Sequence, residues 1–188
     1  MSVVSSPQSS PPGKVAREDP FEYWPYNLSS LGKILRASGR KGFLAKFPAP
    51  FLVLVHGPKG GSEYVGPRTE FSKSSGEVSE EDLLGQHVIP VVKTARNFYT
   101  SKVTIGRAKN NDIIIRAPKI SKLHAAILIE PDGFCLKDMG SANGTTQNGE
   151  QLEKYHIQPL QSGDVLAFWR YVFEFQRPET TAALLGRL

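Results

Sequence analysis

Ser121 and His124 stand three residues apart in the run Ser121-Lys-Leu-His124. A hydroxyl near an imidazole is the pairing that nucleophilic catalysis uses. The chain has neither the Gly-x-Ser-x-Gly turn that exposes such a serine nor an acid placed to orient the histidine. No enzymatic activity is therefore expected. His56, His87, His124 and His156 are scattered, and Cys135 is the single cysteine. These residues predict no metal site and no cofactor. Cys135 lies between Phe134 and Leu136 in an alternating stretch and reads as a small buried hydrophobe. Gly57-Pro-Lys-Gly-Gly61 lacks the Gly-x-x-x-x-Gly-Lys-Ser/Thr spacing of a phosphate-binding loop. It reads as a turn after a strand.

The elements that must position these residues are strands. Apolar or alternating runs fall at Val88–Lys93, Lys102–Ile105, Ile113–Arg116, His124–Ile129, Phe134–Lys137, Thr145–Gln151, Val165–Trp169 and Tyr171–Phe175. Tyr171, Phe173 and Phe175 alternate with Val172 and Glu174 at the period of a strand. Asn148-Gly149 is the strongest short signal for a tight hairpin turn. Many short strands joined by Gly, Asn and Asp turns predict an all-β sandwich or barrel. Loops at one end of such a scaffold can hold binding side chains rigidly.

Those loops carry the informative blocks. Val103-Thr-Ile-Gly-Arg107 is followed by Asn110-Asn-Asp112, then by Ser121-Lys-Leu-His124. Asp138-Met-Gly-Ser-Ala-Asn-Gly-Thr145, Asn148-Gly149 and Leu160-Gln-Ser-Gly-Asp164 come next. In order and spacing this set resembles the forkhead-associated (FHA) domain family over about residues 86–177. The resemblance implies a β-sandwich of two antiparallel sheets whose end loops read a phosphothreonine peptide. It implies an adaptor module in Ser/Thr-kinase signalling. A phosphothreonine carries nearly two negative charges and three acceptor oxygens. It calls for charge-assisted donors on a rigid frame.

The resemblance also assigns roles. Arg107, after the tight backbone at Gly106, contacts the phosphate or the adjacent peptide backbone. Ser121 offers a hydroxyl to a phosphate oxygen, and Lys122 adds an ammonium where the family often has Arg or Asn. Asn143 clamps peptide backbone through an amide that both donates and accepts. Lys119 faces the ligand's C-terminal side and implies an acidic preference there. His124 braces the serine loop from below, and Gly144 makes a tight turn. Asn110, Asn111 and Asp112 read as turn formers. Ala142 departs from the family, where many members carry Thr or Ser, and removes one possible hydroxyl contact. The alternative reading is a phosphorylation-independent scaffold that uses the sandwich face or the N-terminal extension.

Residues 1–19 are rich in Ser and Pro and predict a disordered tail. Residues 20–85 form an N-terminal extension of mixed helix and strand, packed on the sandwich as an extra layer, with a boundary near Gly85. Within it Phe21, Tyr23, Trp24 and Tyr26 crowd together. Ser29 or Ser30 can cap a short helix whose Leu31, Ile34 and Leu35 share a face. Gly39 and Gly42 weaken its far end. Phe51–Val55 reads as a buried strand, and Ser79–Asp82 as a capping box. Residues 178–188 are a C-terminal tail with a short helix at Ala182–Leu188. Thr180 and Thr181, if phosphorylated, are in a position to occupy a binding pocket of the same or a neighbouring chain.

Hydrophobic residues make up 39% of the 188, enough to bury a core. No apolar run approaches the ~20 residues of a membrane helix, and residues 1–13 lack the form of a secretory signal. A lone cysteine fits a reducing compartment, so a cytoplasmic location is expected. The net charge is +5, and thirteen Lys/Arg against nine Asp/Glu place most of it in residues 86–188. That modest field favours an anionic partner. No aromatic-and-basic nucleic-acid motif accompanies it, so nucleic acid is disfavoured.

Overall fold

A computed structural model describes residues 26–57 and 87–187. The expected tail at 1–19, the aromatics Phe21, Tyr23 and Trp24, the Ser79–Asp82 capping box and the boundary at Gly85 lie outside these residues. Two sheets face each other. One has seven strands in the order β1-β3-β2-β12-β11-β8-β9, the other five in the order β10-β7-β6-β4-β5. In chain order the strands of the larger sheet are β1 (Tyr26–Asn27), β2 (Phe51–His56), β3 (His87–Pro90), β8 (Thr145–Gln147), β9 (Glu150–Gln151), β11 (Val165–Phe168) and β12 (Tyr171–Gln176). The smaller sheet holds β4 (Lys102–Gly106), β5 (Ile113–Ile114), β6 (Ala125–Glu130), β7 (Gly133–Asp138) and β10 (Ile157–Leu160). The protein is thus mostly β, two sheets with an N-terminal helix and strand. One pair departs from the expected antiparallel arrangement: β5 runs parallel to β4.

β2 shows why an unbroken apolar run sits where it does. It pairs with β12 on one side and β3 on the other. Leu52 and Leu54 face the core between the sheets, where Phe168, Phe173 and Phe175 are fully buried. Phe51 and Val53 face the opposite way, into a second cluster with Leu28, Leu31, Phe43 and Leu185. A strand covered on both faces needs apolar residues at every position. Residues 51–56 therefore build the sandwich itself rather than an extra layer.

The helices form a third layer over that outer face. Helix α1 (Leu28–Lys46) is capped by Asn27, not by Ser29 or Ser30. Asn27 Oδ1 accepts from Ser30 N at 2.8 Å, and Ser30 Oγ accepts from Asn27 N at 3.0 Å. Ser30 closes the cap from inside the first turn, which corrects the expected start. Gly39, at φ 66°, breaks the helical path, and the helix resumes to Lys46 through Gly42. Helix α2 (Pro178–Leu185) begins earlier than Ala182, with proline in its first turn, where no amide hydrogen is needed. Thr181 is fully buried there and bonds Gln176 and the Arg177 carbonyl. Its hydroxyl is closed to phosphorylation in this fold. Thr180 is exposed and shares a hydrogen bond with Ser162.

The Asn148-Gly149 hairpin forms as expected, with φ of 53° and 85°. Strand β10 has no clear alternating pattern in the sequence. It contains Pro159 and lies at the edge of its sheet, where a residue without an N–H is tolerated. Among the described residues, no helix is long and apolar enough to cross a membrane.

Candidate functional site

Three loops meet at one end of the sandwich. The first leaves β4 through Gly106 and Arg107. A Cβ on Gly106 would lie 2.4 Å from the Lys122 carbonyl oxygen, so only glycine lets these backbones approach. Arg107 N donates to Ser121 O at 3.0 Å, and Ala108 N to Lys122 O at 3.2 Å. Asn111 is buried, and its Nδ2 donates to Ala108 O and Lys122 O. Arg107 and the Ser121–Lys122 backbone are thereby held together.

His124 joins the second loop to the third. Its ring is fully buried. Nδ1 accepts from Ser121 N at 3.1 Å, which leaves the proton on Nε2 to donate to Gly144 O at 3.0 Å. Burial lowers its pKa below the ordinary histidine value, against opposing pulls from the Gly144 carbonyl and the Asp138 charge. The neutral ring is the form both bonds require. Both ring nitrogens serve the backbone, so Ser121 and His124 are not arranged as nucleophile and base.

The third loop is organised by Asp138, at the end of β7 and without exposed surface. Oδ1 accepts from Gly140 N and Ser141 N at 2.8 Å. Oδ2 accepts from Ser141 Oγ and Thr145 Oγ1 at 2.6 Å. Burial alone would raise its pKa, but these bonds, the Ser141 and Thr145 hydroxyls foremost, hold it below the usual carboxylate value. Gly144 has φ +80°, and its Cα packs against the Gln151 side chain. The loop then reaches back. Ala142 N donates to Ser121 Oγ at 3.0 Å, and Asn143 Nδ2 donates to Lys119 O at 2.6 Å.

What is left over defines the chemistry. Ser121 Oγ accepts one bond and donates none among the described residues, so its hydrogen remains available to a ligand. Asn143 keeps its Oδ1 and a second N–H. Arg107, Lys119 and Lys122 are exposed, and no ion pair engages them among the described residues. The site thus presents cations, a hydroxyl donor and an amide, held by loops that are cross-bonded to one another. Such a surface suits an anion with several acceptor oxygens attached to an extended backbone. Every residue expected at the site falls on these loops or beneath them.

Two buried carboxylates organise the loops without a motif that marks them. Asp138 is followed by its partners Gly140, Ser141 and Thr145, the one local sign of its role. Asp112, in a run that reads as a turn, is a buried hub. Its carboxylate accepts from Lys93 Nζ, Thr94 N and Oγ1, Asn97 Nδ2, and Thr104 N and Oγ1. Burial opposes its charge, yet Lys93 and the Thr104 and Thr94 donors drive its pKa far below the usual value. The partners lie before and within β4, so no local pattern announces them. Asp112 fixes the return of the Arg107 loop.

A family model described as FHA domain matches residues 103–169. Among curated proteins, the chain is similar to human "Angiogenic factor with G patch and FHA domains 1", at 35% identity over 97 residues, covering 46% of this chain and 14% of that protein. The mouse protein of the same name is 36% identical over 83 residues, covering 40% of this chain and 12% of its own length. The chain therefore spans a small fraction of these relatives. Among solved structures, the N-terminal FHA domain of S. cerevisiae Rad53p, in complex with a phosphothreonine peptide, is similar at 16% identity. That match has a TM-score of 0.47 and covers 72% of this chain and 98% of that one. The MEK1 FHA domain, in complex with the HOP1 pThr318 peptide, is 26% identical, with a TM-score of 0.40, covering 48% and 88%.

Proposed function

We propose that the protein is a phosphothreonine-peptide-binding adaptor in Ser/Thr-kinase signalling, acting in the cytoplasm and without catalytic activity. One observation carries this reading. Ser121 Oγ accepts from Ala142 N, which leaves its hydroxyl hydrogen available to a ligand on loops that also carry the exposed Arg107 and Lys122, neither of them in an ion pair among the described residues. In the proposed complex Arg107, Ser121 and Lys122 hold the phosphate. Asn143 clamps the peptide backbone, and Lys119 meets an acidic residue on the C-terminal side. The match of the FHA model to the stretch that holds all three loops supports it. The test is fluorescence anisotropy with a degenerate phosphothreonine peptide pool, its unphosphorylated and phosphoserine counterparts, and the Arg107→Ala protein. Binding confined to phosphothreonine and lost in the variant is expected. Binding indifferent to phosphate and to Arg107 would sink the reading.

The second reading is a phosphorylation-independent scaffold. Phe98, 84% exposed on a loop tied to Asp112 through Asn97, favours it. Unchanged partner capture by an Arg107→Ala/Ser121→Ala protein would select that reading.

A further inference from the structure

Charge is divided unevenly along the chain. Residues 91–129 hold eight of the 23 Lys/Arg and one of the 18 Asp/Glu. That one acid is Asp112, buried and already paired with Lys93 at 2.7 Å. The bonds of Asp112 also shape the loop at 93–99. Thr94 N and Oγ1 and Asn97 Nδ2 donate to its carboxylate, and Arg96 Nη1 donates to its carbonyl at 3.0 Å. Tyr99 N donates to Asn97 Oδ1 at 3.2 Å. What this anchored loop presents is Phe98, 84% exposed. Its ring centre lies 4.6 Å from that of Tyr99, and Lys102 Nζ sits 3.8 Å from the centre of the Tyr99 ring. A phenylalanine so exposed contributes little burial to the fold, yet the loop that carries it is fixed by a buried carboxylate.

This ledge adjoins the proposed phosphate site. Asn97 Nδ2 donates to Asn110 O at 3.0 Å, in the loop that begins with Arg107. Sheet order gives the same neighbourhood. From β7, which leads to Asn143, the sheet passes through β6 to β4, which leads to Arg107, and ends at edge strand β5, just after Asp112. A peptide that crosses from Asn143 past Ser121 to Arg107 needs only a few more extended residues to reach the ledge, since strands stand ~4.8 Å apart. Arg96, Lys102 and Lys109 belong to these two loops and the start of β4, and none is in an ion pair among the described residues. Cations around a bare aromatic ring match an occupant with acidic groups beside an apolar one. Single-stranded nucleic acid asks for successive rings on which bases stack. The Lys102 ammonium already covers Tyr99, which leaves one ring.

We infer that Phe98 and the cations beside it form a second contact region for the same phosphothreonine peptide, where an apolar side chain flanked by acidic ones docks in the stretch that runs on from Arg107, away from Asn143. The inference rests on the proposed phosphopeptide reading for its occupant. Under that reading Phe98 is a specificity-determining residue, and Arg96, Lys102 and Lys109 supply the charge that favours acidic neighbours.

Two measurements on the full chain test it. Phosphothreonine peptides with a Glu-Phe-Glu block moved through successive flanking positions are compared with a peptide whose flanks are serine. One placement should bind roughly three- to tenfold tighter, as for a ring contact with exposed ion pairs. In Phe98→Ser that gain should vanish while phosphate dependence remains. A gain that survives Phe98→Ser, or no gain at any placement, overturns the inference and leaves the phosphopeptide reading intact. The second measurement does not depend on phosphate. The Phe98 ring resonances are followed during titration with the blocked tripeptide Glu-Phe-Glu, with Lys-Phe-Lys and with an oligothymidylate. A saturable shift that is largest with Glu-Phe-Glu is expected. No shift, or equal shifts with the two tripeptides, overturns the inference even if no phosphopeptide binds. A larger shift with the oligothymidylate also overturns it and assigns the ledge to single-stranded nucleic acid.

Discussion

The hydroxyl of Ser121 accepts a hydrogen bond from the backbone N–H of Ala142 at 3.0 Å. This bond joins two loops and orients the serine without help from a ligand. Much of the ordering that binding would otherwise demand is already present. Removing the hydroxyl should therefore cost affinity far more than stability. Ser121→Ala should weaken phosphothreonine-peptide binding by roughly ten- to a hundredfold, the range for a hydrogen bond to a charged group. Its urea midpoint should move little, because the freed Ala142 N–H is exposed to water. A large loss of stability with unchanged affinity would contradict this assignment.

Arg107 and Gly106 are neighbours with separable roles. Arg107→Ala should abolish phosphopeptide binding and leave stability within about 0.5 kcal/mol, as for an exposed residue. Gly106→Ala places a methyl against the Lys122 carbonyl, a backbone atom that cannot swing aside. It should cost about 1–3 kcal/mol, as overpacking does, and weaken binding by displacing the second loop. Thermal melts and anisotropy on the two variants would separate these effects.

His124 makes stability respond to mild acid. Its folded pKa lies below the ordinary value of 6.5, with burial as the main cause. The unfolded chain therefore takes up a proton first as pH falls. The contribution is fully present above 6.5 and is lost as pH drops toward the folded pKa. Urea denaturation should show stability declining between pH 7 and pH 5. In His124→Asn the protein should be less stable at pH 8, and that decline should flatten. The buried Asp112 and Asp138 act lower. Their depressed pKa values keep a contribution that is present above the unfolded carboxylate value and is lost as pH falls below about 4.

A fragment beginning at His87 would contain every residue of the FHA match and still lack β2. It should fail to fold cooperatively, because β12 and β3 would lose their common neighbour and Phe173 and Phe175 would be uncovered. Circular dichroism and a melt compared with the full chain would test this. A cooperative transition at the full-chain temperature would show β2 to be dispensable.

Local signals were legible in the sequence, and partnerships between distant residues were not. Asn148-Gly149 announces its hairpin because the turn is contained in two residues with positive φ. Phe51–Val55 announces a strand covered on both faces, but its neighbour β12 lies more than a hundred residues later. Nothing near Phe51 reveals that pairing. The helix cap was misread by a few residues because Ser30 serves it from within the helix, a role the sequence does not distinguish from starting one. The polar loop blocks could be placed in order, and the structure shows how they are bonded together. Asp112 escaped because its donors come from Lys93 to Thr104, brought to it only by folding.

The position of β2 also bears on how the chain is made. Phe51-Leu-Val-Leu-Val55 is apolar at every position and needs Tyr171–Gln176 beside it. At ribosomal rates of ~5–20 residues per second, it waits on the order of ten seconds for that partner. Its other neighbour, β3, emerges sooner, but until β12 arrives one edge of this short, uncharged, β-prone segment has no partner. Synthesis of this protein therefore has a vulnerable interval that ends only when β12 emerges. Crowded ribosomes or a missing chaperone would tax yield at that stage, before any question of ligand arises.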